Sequence, residues 1–434
     1  MNTNNAIKQR IIRWDRLIVL LVTTIFCVTA CSDSSRHPLQ RKSTVTHSET
    51  MNHPHLSNTH PKDTPATIRL FLCGDVATGR GIDQILRYPV SPVIYESYVR
   101  DARDYIRIAE EVNGPIPHPV NNFYIWGDGL KELRRFSPDI KIINLETAVT
   151  SSEECWPDKE INYRMNPRNI GSLTAVGIDY CSLANNHVLD WGYTGLKETL
   201  ATLRKSDIHY AGAGVNLDEA EKPAIVSVKG KGKVIIYSCG TLYSGVPEEW
   251  AATANRAGVN LLPDLTEKVF QRIKEKIESV RKNGDIVVFS IHWGANWGYE
   301  TPESYVRFAH RLIDGAGVDI VHGHSSHHAK GLEVYKGKLI LYGCGDLLND
   351  YEGIGGEEAY RPDLALMYFV EIDPSTGKLV NLTMSPMPIR KFRLNKASRT
   401  DAQWLAKMLN RESQLSGGKI VLDPNNRLCL VWEK

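Results

Sequence analysis

The chain has no excess charge of one sign. Its 52 Lys and Arg face 50 Asp and Glu, for a formal net charge of +2. Lys8, Arg10, Arg13 and Arg16 outnumber Asp15 before residue 30, so the remainder is close to neutral. A near-neutral body has no electrostatic means of gripping nucleic acid, and no nucleic-acid partner is expected. Cysteines at ligand spacing are also missing. After Cys31 come Cys73, Cys155, Cys181, Cys239, Cys344 and Cys429, with no Cys-x-x-Cys among them, which removes the zinc-ribbon class. Cys73, Cys181, Cys239 and Cys344 lie in or beside apolar strand-like runs and read as buried free thiols. Cys155 sits in a polar loop. No internal repeat is visible, which excludes a solenoid.

Long hydrophobic runs are scarce too. Leu17 to Ala30 is the apolar block of a targeting segment, too short to span a bilayer comfortably. Basic residues precede it, and Val28-Thr29-Ala30-Cys31 closes it. Small residues before a cysteine at this place resemble the lipobox of bacterial lipoproteins. That resemblance implies cleavage before Cys31, acylation of its thiol, and an extracytoplasmic lipoprotein of the cell envelope anchored in the membrane. Two or more acyl chains make a stable anchor. Residues 32–65 are rich in Ser, Thr, His, Pro and Asn, too poor in apolar surface to fold, and read as a flexible linker.

The remainder is globular in composition, with 42% hydrophobic and 24% charged residues. Apolar runs predict strands over 68–73, 140–145, 178–183, 285–291 and 318–321. Helical periodicity predicts helices over 97–111, 126–135, 193–204, 264–282, 302–315 and 401–414. Hairpins are expected over 223–239, 331–343 and 364–389, with closing strands at 419–422 and 427–432. Alternating strands and helices mean an α/β protein, and the hairpins add antiparallel strands. Two sheets face to face with helices outside accommodate both. The expected division is a main domain over 66–390 and a closing helix and strands over 391–434.

Several strand ends carry similar cargo: Asp75, Glu146, Asn186 with His187, His292, and the histidines at 322, 324, 327 and 328. Strand ends of an open α/β fold converge on one edge, so these groups can meet. Turn hydrogen bonds by Asn185 and Asn186, with His187 capping a helix, explain the central loop equally well when it is taken alone. Asp75 and Glu146 have capping roles open to them, and His292 a place in the core. Together, carboxylates, amide and imidazoles suit Mn, Fe, Zn or Co better than Mg or Ca. The donors exceed what one tetrahedral ion needs. Two ions about 3.5–4 Å apart can share a bridging carboxylate, and hydrolysis is the natural chemistry. Arg80 offers a planar fork for phosphate or a polyanion. Asp190 is placed to orient His187.

Gly74-Asp75-Val76 with Gly79-Arg80, Asn144-Leu145-Glu146, Leu183-Ala184-Asn185-Asn186-His187 with Asp190, and His292-Trp293-Gly294 form one ordered set. Gly323-His324-Ser325-Ser326-His327, Glu333 to Gly337 and Tyr342-Gly343-Cys344-Gly345-Asp346 continue it. This set resembles the bacterial capsule synthesis protein CapA family from about 68 to 350. The resemblance implies a calcineurin-like metallophosphatase fold, a four-layer α/β/β/α sandwich. It also implies a role in making or exporting capsular poly-gamma-glutamate. Carried over by position, Asp75 is a first-strand ligand, Glu146 the bridging carboxylate and Asn186 a ligand of the second ion. His187 is the acid for a leaving oxygen, and His292 and His327 complete the centre. Ala77 stands where the phosphatase pattern has a histidine, and so does Ser325, leaving His324 or His322 to serve. One or two ions are therefore expected. Three functions follow: a capsule factor whose metal is structural or binds an anionic surface polymer, a metal-dependent hydrolase of phosphoesters or polymer amides, and a scaffold among export-complex proteins.

Overall fold

The structure, a computed structural model, describes residues 67–413 and 418–432. The lipobox with Cys31 and the linker over 32–65 lie outside the described residues. Within them, no helix is long and apolar enough to cross a membrane.

In chain order the main strands are β1 (Ile68–Val76), β2 (Ile140–Leu145), β3 (Tyr180–Ser182), β4 (His209–Ala211), β5 (Ala224–Val228) and β6 (Gly232–Thr241). Then follow β7 (Leu261–Leu262), β8 (Ile286–His292), β9 (Ile320–His324), β10 (Leu332–Tyr335), β11 (Lys338–Leu341) and β12 (Asp346–Leu348). The last are β13 (Leu364–Ile372), β14 (Leu379–Pro388), β15 (Lys419–Leu422) and β16 (Leu428–Val431). The longer helices are α1 (Arg80–Ile85), α2 (Arg103–Asn113), α3 (Gly129–Phe136), α4 (Gly192–Lys205), α5 (Glu267–Glu278), α6 (Glu303–Ala316) and α7 (Arg399–Glu412).

One sheet has nine strands in the order β15-β16-β14-β13-β1-β2-β3-β4, with β12 paired to β1. The other has seven, in the order β7-β6-β8-β9-β11-β10, with β5 paired to β6. Their centres are parallel: β1 with β2, β2 with β3, β6 with β8, and β8 with β9. Antiparallel pairing belongs to the hairpins, and in the larger sheet it runs from the β15 edge inward to β13 against β1.

The period of two along each strand explains why these runs are apolar throughout. Ile68, Leu70 and Leu72 face a core shared with Ile286 and Val288 of the other sheet. Phe71 and Cys73 face the opposite way, onto a core with Leu196, Leu200 and Leu203 of α4. Val287, Phe289 and Ile291 turn outward onto Phe270 and Ile273 of α5 and Leu312 of α6. Three cores mean four layers, helix, sheet, sheet, helix. The last segment belongs to the same body. Leu405 and Leu409 of α7 and Leu428 and Leu430 of β16 join the inter-sheet core, and β16 pairs with β14.

Some helix boundaries differ from those the periodicity predicts, each for a local reason. The helix expected from residue 97 starts at Arg103, because Val93 bridges Asp101 and the Ala102 amide donates to the Pro92 carbonyl at 2.7 Å. The helix expected from 264 starts at Glu267, because Asp264 accepts both the amide and the hydroxyl of Thr266 and so stands before the first turn. The helix expected from 126 starts at Gly129. Gly127, at φ +42°, breaks the chain there, against the Leu394 carbonyl.

Candidate metal centre

The carboxyl ends of the parallel strands from both sheets meet at one edge, and the buried donors gather there. Asp75, next to last in β1, stands in parallel register with Asp346 of β12. A side chain at Gly74 would put its Cβ 1.9 Å from the Gly345 carbonyl oxygen. That glycine lets the two strands run close enough for both carboxylates to face one pocket. Asn144 Nδ2 donates to Asp75 Oδ1 at 2.7 Å, and the Ser325 amide donates to Oδ2 at 3.2 Å. Ser325 holds φ +103°, an uncommon value for a residue with a side chain.

Two donor sets share Asp75. Ligand atoms of Asp75, Glu146, His327 and Asp346 all lie within 4.8 Å of one another, as do those of Asp75, His292 and His324. Glu146 Oε1 is 3.8 Å from His292 Nε2, and Asn186 Oδ1 is 3.1 Å from the same nitrogen. The six residues singled out as ligands therefore converge. Asp75 is common to both sets, whereas Glu146 reaches the second through His292. Asp346, which the sequence offered only as part of the motif set, is a seventh donor, in parallel register with Asp75.

The donor set fits a divalent cation on two grounds. First, burial and the neighbouring Asp346 push Asp75 up, and burial and Asp75 push Glu146 up. Adjacent carboxylates in a dry pocket repel unless a positive charge lies between them. Second, the hydrogens run out. Burial depresses His322 to about 4 and His292 and His324 well below the usual imidazole range, so all three are neutral. His322 Nε2 donates to the Cys73 carbonyl at 2.7 Å, so its Nδ1 accepts from the Ser290 hydroxyl at 3.1 Å. Having given its one hydrogen, Ser290 Oγ accepts from His324 Nε2 at 3.0 Å. The bare His324 Nδ1 takes the hydrogen of His292 Nδ1 at 2.8 Å. That leaves His292 Nε2 as a lone pair facing the Asn186 oxygen and the Glu146 carboxylate. Such acceptors ring a place for a cation.

His187 stands at the side of this pocket, with Nε2 3.9 Å from Glu146 Oε1. Its Nδ1 donates to Asp190 Oδ2 at 2.6 Å, and the Tyr163 ring stacks on it at 4.1 Å. Asp190 also accepts from Lys159 Nζ at 2.5 Å and the Tyr163 amide at 2.6 Å. Burial outweighs the Asp190 carboxylate and brings His187 down to about 4. His327 goes the other way: burial opposes its charge, but the Asp346 carboxylate 3.0 Å away and Asp75 raise it.

Arg80 is elsewhere engaged. Its Nε and Nη2 donate to Asp350, at 3.2 and 2.5 Å, and its Nη1 to Glu96 and the Tyr105 hydroxyl, at 2.8 and 2.9 Å. A buried fork with four of its five N–H groups engaged in this way is a wall of the site, where the sequence suggested a free phosphate grip. His322 orients His324, and His328 packs parallel to Trp297 at 6.1 Å. Sequence reasoning passed over Lys159 and Ser290, and quoted Asn144 and Asp346 without giving either a role in the site. Only Asp346 carried a usable signal, since it too follows an apolar run and glycines.

The site and fold together define a class: a layered α/β protein with a buried oxygen and nitrogen cage at the strand ends. Residues 69–351 match the family described as bacterial capsule synthesis protein PGA_cap, and this chain belongs to that family. A probable polyglutamine synthesis accessory protein of Mycobacterium tuberculosis is 46% identical over 368 residues, covering 85% of this chain and 97% of that protein. The PGA biosynthesis protein CapA of Bacillus subtilis is 30% identical over 287 residues, covering 64% of this chain and 71% of its own length. A solved structure, GAP50, the anchor in the inner membrane complex of Plasmodium, aligns at TM-score 0.33 and 10% identity over 80% of this chain and 96% of that one. That likeness is too slight to bear on the fold.

Proposed function

We propose that this protein serves capsular poly-gamma-glutamate synthesis or export from the outer face of a membrane. Acyl chains on Cys31 tether it there, and the linker over 32–65 sets its reach. Its strand-end cage, on a metallophosphatase-like sandwich, holds one or two divalent ions of the Mn, Fe, Zn or Co kind. The observation that carries this reading is the convergence of Asp75, Glu146, Asn186, His292, His324 and His327, from both sheets, on one pocket. When bound, such ions polarise a phosphoryl or carbonyl oxygen.

A hydrolytic role is favoured over a scaffold by the dyad beside the cage. Asp190 fixes the His187 tautomer, Tyr163 fixes its ring plane, and Nε2 faces the ligands. With the hydrogen on Nδ1 and Nε2 bare, His187 is arranged to take a proton from an attacking water and pass it to a leaving oxygen, which a scaffold has no use for. Lys159 neutralises Asp190 and keeps this corner from adding to the carboxylate charge.

Metal analysis of the purified chain, with assays of aryl phosphates and poly-gamma-glutamate, tests both parts. Asp75→Ala with Glu146→Ala is expected to abolish bound metal, and unchanged metal content refutes the cage. His187→Ala is expected to keep the metal and lose at least a hundredfold in cleavage, following the usual weight of general acid–base groups. A wild-type protein that binds metal and cleaves nothing removes the hydrolase reading and leaves the capsule role standing.

A further inference from the structure

Beside the cage opens a cavity of about 500 Å³, walled by Arg80, Tyr163, Trp297, His327 and Tyr351 among others. The hydroxyl oxygens of Tyr163 and Tyr351 are 2.7 Å apart on that wall. A phenol with its ordinary value of about 10 keeps its hydrogen at neutral pH, so both hydroxyls are donors. Two hydroxyls joined by one hydrogen bond have one hydrogen to spare. Among the described residues neither hydroxyl has a hydrogen-bond partner except the other. The spare hydrogen therefore has the cavity as its direction of use.

The pair spans the mouth of the cage. Tyr163 stacks on His187, and the Tyr351 ring meets His327 edge-on at 5.5 Å. Behind both lies the Arg80 guanidinium, 4.6 Å from the Tyr163 ring centre and 5.7 Å from that of Tyr351. A buried cation at the ring faces makes phenols stronger donors. Their rings are held by His187, His327 and Arg80, so little freedom is lost when a ligand arrives.

We propose that Tyr163 and Tyr351 form an oxyanion-binding subsite. Their spare hydrogen is donated to a non-bridging oxygen of a phosphoryl or carboxylate group whose other oxygens face the cage. This inference rests on the metal-centre reading. Neutral donors suit the position, because a hydrogen bond to a charged oxygen is strong and adds no fixed charge beside Asp75, Glu146 and Asp346. Either tyrosine can hold the shared hydrogen, so either can present the spare one.

That interchange gives the test its signature. Each single variant, Tyr163→Phe or Tyr351→Phe, breaks the mutual bond yet leaves one free phenolic hydrogen. The double variant leaves none. Manganese-loaded full chain is titrated calorimetrically with inorganic phosphate and, separately, with acetate, and bound manganese is measured for each variant. The expected result is near wild-type affinity in both singles. The double is expected to lose about tenfold or more, the worth of one hydrogen bond to a charged group, with manganese unchanged. Whichever probe shows the loss names the ligand, phosphoryl or carboxylate. Full loss in either single makes the bond merely structural and overturns the proposal, as does an unchanged double. Manganese bound with no affinity for either probe overturns it while sparing the metal reading. No manganese bound at all overturns both.

Discussion

Ser290 stands between His322 and His324 and touches no other expected ligand, yet its single hydrogen sets which nitrogen His324 can offer. The direction of that relay starts at the Cys73 carbonyl, which can only accept. Ser290→Ala removes the middle link and frees His324 to place its hydrogen on either nitrogen. Metal affinity is expected to fall 10–100-fold, the usual effect of losing a partner that orients a ligand. A chelator-competition titration measures this, and unchanged affinity would show that the tautomer is set some other way. Asp346 makes the complementary point. It adds a carboxylate beside Asp75 to a cage in which Ala77 supplies no imidazole.

At the scale of elements, the cage depends on how closely β12 lies against β1. The Asp75 amide donates to the Gly345 carbonyl at 3.1 Å, just where a Gly74 side chain would stand. Gly74→Ala must push the strands apart and carry Asp346 away from Asp75. Overpacking of this kind costs about 1–3 kcal/mol, read as a lower denaturation midpoint. Metal affinity should fall with it; a variant destabilised but unaltered in metal binding would separate the strand contact from the cage. Most elements were legible in the sequence. β2 runs Ile140–Leu145 as its apolar run predicts, and α4 exceeds its predicted span by one residue at each end. The errors fall at helix boundaries: at starts such as Arg103 and Glu267, where a bridge or a side-chain turn overrides periodicity, and at the end of α5, which stops at Glu278 against a predicted 282.

For the molecule as a whole, the described residues from 391 onward pack into the same body as the rest. Leu405, Met408, Leu409, Ile420, Leu428 and Leu430 are buried between the sheets. Each contributes about 1.5–3 kcal/mol on burial, and together they rival the whole net stability of a typical protein, about 5–15 kcal/mol. A chain ending at residue 390 is expected to be insoluble or unfolded by near-ultraviolet circular dichroism. A cooperative thermal transition in that truncated chain would show that the closing segment is dispensable.

The sequence alone determined the alternation of elements, because a strand buried on both faces must be apolar throughout and a helix on one face must be periodic. It singled out Asp75, Glu146, Asn186, His187, His292 and the histidines at 322–328 as candidates for a related reason: a polar group close after such a run stands out. Only the tertiary structure decided that Arg80 is spent on Asp350 and Glu96, and that Asp346 stands beside Asp75. It also joined Tyr163 to Tyr351 across 188 positions. Those pairings depend on which loops fold back over the strand ends, and loop residues carry no periodicity from which their partners can be read.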